Sequence, residues 1–285
     1  MLPRLLLLAC LIIGTHVSAQ FSPALLQNDS YWGDAKAEFN LYDAQIARDG
    51  APRPCEVLHI LVREPMDPKQ LVKPDNPGQS GAVPVLKLNQ ILHVPTGLSV
   101  QQQMHSSFWR VDNAQLLKFS LTSSDSVGNT YKEGRREGAA FGYEYHTSLD
   151  GMAGGKENVA IPANGFFYDE LPLVVRTLDF QKPSTPIEVQ LAGSIINSKK
   201  DNFVFKPAKL SFKSTEREID VAVEHSGGID HFILDRNFPN LLRQWNAADG
   251  SRLKMKRSLK VAYWNYNKPG DREKALADPM LRHPD

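Results

Sequence analysis

The feature that most constrains this chain is the alternation of apolar and polar residues along many short segments. Leu117, Phe119 and Leu121, for example, alternate with polar residues. About a dozen such segments are separated by turns, and a period of two residues is typical of half-buried strands. The regular strand–helix alternation of an α/β sheet is absent. We therefore predict a mainly β fold, in which antiparallel curved sheets form a sandwich or an open barrel, with a short helix near the middle of the chain.

That helix is predicted in residues 164–180, NGFFYDELPLVVRTLDF. Its apolar residues fall at i, i+3, i+4 and i+7, which is one face of a helix: Leu171, Val174, Val175 and Leu178. Asp169 is a candidate N-cap, and Pro172 suits the first turn, where its missing N–H has no cost. The two adjacent valines keep a strand as the alternative. We expect the apolar stripe to be buried at a junction between two halves of the chain.

Around this junction we divide the chain into five parts. Residues 1–19 are a cleaved leader, 20–30 a flexible arm, and 269–285 a surface tail. Residues 31–160 form an N-terminal strand-rich half, and residues 161–268 form a C-terminal half packed on it. The Pro- and Gly-rich stretches between segments are predicted turns and loops.

The first 19 residues have the features of a signal peptide. A basic start is followed by an apolar run, and Val17-Ser18-Ala19 fits the small-x-small cleavage pattern. We expect export to the periplasm or secretion. A competing interpretation is a lipoprotein anchored through Cys10, because residues 7–10 resemble a lipobox, although the apolar run before Cys10 is short and continues beyond it.

Charge and cysteine content exclude several classes of protein. The formal net charge is +1, so the chain lacks the basic field that nucleic-acid binding requires. No apolar run after the leader is long enough to span a membrane as a helix. After cleavage Cys55 is the single cysteine, which precludes an internal disulfide and is most simply a buried thiol.

Two features suggest ligand contacts. Phe141, Tyr143 and Tyr145 share one face of a predicted strand, where they could stack on a sugar or line a lipid-sized cavity. Aromatic residues at this spacing also pack between sheets as ordinary core. Arg176 lies off the helical stripe, and the alternatives are an ion pair with Asp179 or a neighbouring acid, or a role in ligand binding.

A metal site is a further hypothesis, formed by His225, Asp230 and His231. The Gly227-Gly228 turn could bring the two histidines together, and zinc accepts nitrogen and oxygen ligands of this kind. The spacing is not a standard one, and a turn between two strands explains the glycines without a metal. Because the common metal, nucleotide and dinucleotide motifs are missing, we predict no cofactor.

Four parts of the sequence carry a family resemblance: the segment 31–38, the proline-rich stretch leading into residues 83–88, the central helix, and a C-terminal hairpin containing Trp245, Asp249-Gly250 and Tyr263-Trp264. They resemble an uncharacterised family of exported Gram-negative bacterial proteins that carries a domain-of-unknown-function label, some members of which are mislabelled as septum formation inhibitors. The resemblance implies a periplasmic β-rich protein without an established reaction. No family catalytic residues can therefore be transferred to this chain.

Two classes of function remain open. The first is a non-catalytic periplasmic protein that binds an apolar ligand or a cell-envelope partner, such as a lipid, a glycan or an envelope protein, on a curved β-sheet. The second is a cell-envelope hydrolase that acts on glycan or ester substrates. Hydrolysis would require convergent carboxylates or a nucleophile–base pair, and the sequence shows neither clearly. We therefore favour binding.

Overall fold

The computed structural model describes residues 21–48, 50–76, 78–148, 153–182 and 185–277. The predicted signal peptide, with Cys10, lies outside these residues, as does the end of the predicted tail. Within them the chain is mainly β, with short helical segments, which confirms the predicted fold class.

All the named strands belong to one 15-stranded sheet. Those of the N-terminal half are β1 Ala37–Arg48, β2 Ala51–Met66, β3 Val83–Thr96, β4 Ser99–Arg110, β5 Leu116–Asp125, β6 Gly128–Glu137, β7 Ala140–Thr147 and β8 Gly154–Ala160. Those of the C-terminal half are β9 Gly165–Phe167, β10 Ile187–Ala192, β11 Lys206–Ser214, β12 Glu218–His225, β13 Gly228–Asp235, β14 Leu242–Asn246 and β15 Arg252–Val261.

The strand order explains how two halves make one sheet. It runs from β8 back to β1, then from β15 back to β9, so the halves join where β1 pairs antiparallel with β15. The pairs are antiparallel except for β9 with β10, which are parallel. The sheet edges are β8 and β9, which follow one another in sequence. The single curved sheet, open between β8 and β9, corresponds to the open-barrel alternative.

Local sequence signals located several hairpins correctly. The sequence predicts a hairpin of residues 104–111 and 115–122 across Asp112-Asn113, and these segments overlap β4 and β5, which are antiparallel neighbours. Strands β6 and β7 pair on either side of Gly138, whose φ of 65° lies in the left-handed region that glycine adopts readily. These hairpins follow from residues close in sequence.

The inner face of the sheet carries two main hydrophobic clusters. The first, which we call the aromatic core, lies mainly against the N-terminal half and includes Phe119, Phe141, Tyr143, Phe167 and Leu173. The second, the aliphatic core, lies against the C-terminal half and consists largely of valine, leucine and isoleucine side chains of β10 to β13. The two clusters meet at the central helical segment, because that segment contributes side chains to each.

This central segment is helical, as predicted, but irregular. It consists of a 3-10 turn at Tyr168–Glu170, helix α3 at Leu171–Val174, and a second 3-10 turn at Val175–Thr177. The whole predicted stripe is buried: Leu171, Val174, Val175 and Leu178. The prediction that Asp169 caps the helix is wrong.

The buried Asp169 carboxylate turns away from the helix. It accepts hydrogen bonds from the Ser194 hydroxyl (2.7 Å) and the Ile195 backbone N–H (2.5 Å). Glu170 instead reaches back to the start of the segment, where Oε1 accepts the Phe167 backbone N–H at 2.8 Å. Asp169 thus ties the segment to the connection that follows β10, and Glu170 closes the start of the segment itself.

The N-terminal arm is ordered against this interior, which corrects the expectation of a flexible segment at residues 20–30. Two short helices, Ala24–Gln27 (α1) and Asp29–Trp32 (α2), place Leu25 and Leu26 in the aromatic core. Their burial removes apolar surface from water and holds the arm in place.

At the C-terminal end, a 3-10 turn at Tyr263–Asn265 precedes helix α4 at Asp271–Ala277. Among the described residues, no helix combines the length and the apolar character that crossing a membrane would need.

Candidate functional site

The candidate site is a cavity of about 410 Å³ on the inner face of the sheet, where the first and last strands meet. This volume is within the range of small-molecule sites, about 300–1,000 Å³. Turn residues Gly227, Ala248 and Asp249 form one end of the cavity, and Pro172 of the central segment lines it as well. The site therefore depends on both halves of the chain.

The walls are mostly apolar. Ile46, Val57 and Leu92 contribute from β1 to β3, whereas Phe232 and Leu253 contribute from β13 and β15. Each of these side chains is buried. Strand alternation explains their common direction, because inner-face residues recur every second position along each strand. The walls provide a surface suited to an apolar molecule.

A polar group lies at the turn end of the cavity, formed by Tyr168, His225 and Asp230. The Tyr168 hydroxyl donates to Asp230 Oδ2, and the Ala248 backbone N–H donates to Oδ1 at 2.8 Å. His225 Nε2 lies 3.2 Å from Oδ2. Burial, followed by the nearby charge of Asp230, raises the pKa of the Tyr168 hydroxyl. Tyr168 is therefore a neutral hydrogen-bond donor at neutral pH.

Aromatic rings surround this polar group. The Tyr168 ring contacts both His225 and Trp245, with centroid distances of 5.9 and 6.4 Å, and both contacts are edge-to-face. Phe232 lies 6.2 Å from Trp245, its cross-strand neighbour on β14. These contacts restrict the ring orientations, so the polar edges of His225 and Trp245 occupy defined positions at the cavity.

The side of the cavity nearest the aromatic core carries buried histidine and amide groups. Gln90 Nε2 donates to the Asp169 carbonyl at 2.8 Å and lies 3.2 Å from His105 Nδ1. Burial lowers the pKa of both His59 and His105 to about 3, so both imidazoles are neutral at physiological pH. This side adds little charge to the cavity.

Glu170 marks the boundary between the cavity region and the aromatic core. Its Oε2 accepts the Trp109 indole N–H at 2.9 Å. Burial raises the pKa of the Glu170 carboxyl to about 7, although the Phe167 and Trp109 hydrogen bonds act in the opposite direction. These two hydrogen bonds give Glu170 a structural role in holding the central segment.

Phe141, Tyr143 and Tyr145, the proposed ligand contacts, share the inner face of β7 as predicted. There they are buried in the aromatic core. Phe141 stacks on Phe119 at 5.7 Å, and Tyr143 stacks on Tyr145 at 5.6 Å. They do not line the cavity described above. The structure therefore favours the core-packing alternative for this set.

Arg176 is likewise enclosed by protein. Its two terminal nitrogens donate to the two carboxylate oxygens of Glu38, each at 2.8 Å. The predicted partner Asp179 instead pairs with Lys182. Burial raises the pKa of the Glu38 carboxyl, but the Arg176 charge and the hydrogen bonds from Arg176, Tyr31 and Asn40 outweigh it, so the net pKa is lowered. Arg176 ties the central segment to β1.

The predicted metal set does not converge. His225 and Asp230 come together at the cavity, but His231 follows Asp230 on β13 and therefore points to the opposite face. There His231 Nδ1 lies 3.0 Å from Asp220. Within the described residues, no three His, Cys, Asp or Glu side chains are grouped to hold a metal ion. Two of the three residues nevertheless belong to the candidate site.

Sequence reasoning missed Tyr168, His59 and Trp245 as cavity residues. Tyr168 directly precedes Asp169, the predicted N-cap, and only the packing of the central segment brings it to Asp230, 62 positions away. Trp245 enters the sequence analysis only within a hairpin motif, and His59 lies in an apolar run of strand length whose pattern suits an ordinary core or sheet-face histidine. The apolar alternation predicts that Trp245 and His59 lie on strands, but it does not show that a cavity lies beside them.

A larger groove of about 540 Å³ lies over the outer face of β3 to β7. Polar residues such as Gln102 and Thr122 line it, and many of them are exposed. Water satisfies such groups without a ligand, whereas the interior cavity removes most of its walls from solvent. The interior cavity is therefore the stronger candidate site.

Comparison with known proteins gives a structural neighbour and no family assignment. No protein-family model and no curated protein matches the chain. A solved structure from Brucella abortus, described as a β-barrel-like protein of domain of unknown function DUF1849, aligns with a TM-score of 0.46 and 11% sequence identity. The alignment covers 80% of this chain and 99% of the other.

Proposed function

We propose that this protein is a non-catalytic binding protein that encloses an apolar ligand, or the apolar part of an amphiphile, in its interior cavity. The observation that carries the proposal is a cavity of about 410 Å³ whose buried apolar walls come from strands at both ends of the sequence. Burying a ligand's apolar surface there would be favourable by about 25 cal/mol per Å².

The polar groups around the cavity favour binding over hydrolysis. Both carboxylate oxygens of Asp230 accept protein hydrogen bonds, and so do both oxygens of Asp169. These bonds fix the backbone of the 193–205 connection and of the turn at Ala248. A hydrolase would need a carboxyl pair or a nucleophile–base pair free to contact substrate. The hydrolase alternative would require such a pair to form on ligand binding.

The proposed setting is the bacterial envelope. Its support is the leader-like sequence at residues 1–19, and a cleaved form would act in the periplasm or outside the cell. An apolar cavity suits that setting, because a lipid or another apolar envelope component needs shielding from water there. Lipid anchoring through Cys10 is the competing form. Mass spectrometry of the N-terminal peptide from native cells would distinguish a free start at residue 20 from an acylated Cys10.

The test of binding uses a Val-to-Phe pair of variants. Val57→Phe would fill the cavity from β2, whereas Val100→Phe would add the same group on β4, where Val100 is 46% exposed. Displacement of a fluorescent naphthylamine probe by octane measures occupancy of an apolar site. We expect the wild type and Val100→Phe to bind the probe and Val57→Phe to lose at least tenfold in affinity, provided that its circular dichroism remains native.

Two results would contradict the proposal. Equal probe binding by wild type and Val57→Phe would place the apolar site elsewhere on the protein. Hydrolysis of an ester or glycan by wild type that is lost in Asp230→Asn would instead support the hydrolase alternative. Lipids or glycans that co-purify with the native protein, identified by mass spectrometry, would show which ligand the cell supplies.

A further inference from the structure

Two buried N–H groups at the cavity have no hydrogen-bond partner within the described part of the chain. They are Nε2 of His225 and Nε1 of Trp245, and both side chains line the cavity. A buried donor without a partner is costly, and proteins rarely retain one without a water or ligand to accept it. Two such donors on the wall of one cavity, each in contact with the Tyr168 ring, indicate positions for acceptor atoms of a ligand.

The hydrogen bonds of His225 determine which of its nitrogens is the donor. The Gly227 backbone N–H donates to Nδ1 at 3.1 Å, so Nδ1 carries a lone pair in the neutral imidazole. The proton then resides on Nε2. Although Nε2 lies 3.2 Å from Asp230 Oδ2, the alignment is not that of a hydrogen bond, and Oδ2 already accepts the Tyr168 hydroxyl. The Nε2–H therefore remains available.

Trp245 supplies the second donor. An indole N–H has no acceptor capacity, so its pairing requires an oxygen or another acceptor from outside the ring. The ring is held by Phe232 and Tyr168, which keeps this N–H at the cavity. A ligand oxygen that reached Trp245 would therefore find a preformed donor.

We propose that the ligand is an amphiphile whose uncharged acceptor oxygens, such as those of an ester group, are bound by the His225 Nε2–H and the Trp245 Nε1–H. This inference rests on the proposed function, since the apolar tail occupies the same cavity. The carboxylates of Asp230 and Asp249 also line the cavity. These two carboxylates repel a ligand carboxylate. The two N–H donors cannot accept a hydrogen bond from a protonated amine.

The experiment compares four ligands of matched chain: octane, methyl octanoate, octanoate and octylamine. Competition with the fluorescent probe gives an apparent affinity for each. One gained hydrogen bond corresponds to about a three- to tenfold change in affinity. We expect methyl octanoate to bind wild type about three- to tenfold more tightly than octane, and more tightly than octanoate or octylamine.

Trp245→Phe removes one donor and keeps an aromatic ring, so the preference for ester over octane should fall about threefold or more while octane affinity stays the same. Trp264→Phe, at a residue 47% exposed and outside the cavity lining, is the matched control and should leave both affinities unchanged. Because Trp245→Phe removes part of a ring that packs against Tyr168 and Phe232, circular dichroism should first show that the variant keeps the native fold. If that variant nevertheless fails to fold, His225→Phe provides the same comparison from the other donor.

The outcomes separate this inference from the proposed function. Octane and methyl octanoate binding equally well would overturn the inference, because water would then serve the two donors, and would leave apolar binding intact. Tightest binding by octylamine would overturn it in favour of a cation held by Asp230. Displacement of the probe by none of the four ligands would contradict the proposed function itself.

Discussion

The aromatic core and the cavity are built on the same sheet but satisfy their polar groups differently. In the aromatic core, Lys132 is fully buried and its Nζ lies 2.8 Å from Asp201, which also accepts the Tyr143 hydroxyl at 2.9 Å. At the cavity, the buried His225 and Trp245 N–H groups have no hydrogen-bond partner among the residues that the structure describes. Filled volume and a buried ion pair characterise the aromatic core, although His105 Nε2 beside it also lacks a hydrogen-bond partner among the described residues. An empty volume with two unpartnered donors on its wall characterises the cavity.

The difference extends to how each region closes the sheet. The connection between β10 and β11 lies against the inner face of β6, where Lys132 also donates to the Ile195 carbonyl at 3.1 Å. Asn197 donates to Asp201 at 2.7 Å. These bonds hold the C-terminal half against the N-terminal half near the edge strands. The aromatic core thus fixes the curvature of the sheet, and the cavity is the space that this curvature leaves on the other side of the central segment.

The largest expected effect tests the paired charges of the aromatic core. Lys132→Met would leave Asp201 buried without its cation, which costs about 3–5 kcal/mol of unfolding free energy. Burial already raises the pKa of the Asp201 carboxyl, against the effect of Lys132. Urea denaturation would measure the loss.

The double variant Lys132→Met with Asp201→Asn is the control for this prediction. It removes the uncompensated charge and should recover about 2 kcal/mol or more. A loss below about 1 kcal/mol for the single variant would show that water reaches this pair. The aromatic core would then not differ from the cavity in excluding water from its charged groups.

The second prediction compares the free volume of the two regions. Gly134 faces Phe119 across β5 and β6, and an added Cβ would lie 2.2 Å from the phenyl ring. Gly134→Ala should therefore destabilise the protein by about 1–3 kcal/mol through overpacking. Val57→Phe adds a larger group beside the cavity and should change stability by less than about 1 kcal/mol. Thermal unfolding of the two variants measures this difference, and equal destabilisation would contradict an accessible cavity at Val57.

The smallest effect concerns protonation of a buried histidine in each region. The folded-state pKa of His105 and of His59 is lowered to about 3, from an ordinary value of 6.5. The unfolded chain therefore binds more protons between these values, and unfolding free energy falls as pH decreases below 6.5. Each histidine should contribute about 1 kcal/mol of this loss between pH 6.5 and about pH 5.5.

His105→Asn and His59→Asn should each flatten the acid dependence relative to wild type by about that amount. Denaturation at a series of pH values measures the slopes, and the comparison of slopes is independent of any constant cost of substitution. If only His105→Asn flattens the curve, His59 is hydrated in the folded protein. The cavity would then contain water that a ligand must displace.

Local patterns in the sequence predicted much of the fold. Alternation along β5 and β7 placed their inner-face residues correctly, and the i, i+3, i+4, i+7 spacing identified the buried stripe of Leu171, Val174, Val175 and Leu178. The candidate site was less accessible to this reasoning. His225 and Asp230 were selected, although for metal binding, since they lie close together across one turn. The arm at residues 20–30 was misassigned because burial of Leu25 and Leu26 depends on a surface formed by distant strands.

The sequence alone determined that this chain forms strands, where its hairpins turn, and which side of each strand is apolar. These properties depend on residues only a few positions apart. Tertiary structure decided that Arg176 pairs with Glu38, 138 positions away, and that β1 closes against β15. Tertiary packing also leaves a cavity where those distant strands meet, with two donors that have no hydrogen-bond partner in the described parts of the chain. A cavity is the volume that several packed elements fail to fill, so no single segment encodes it.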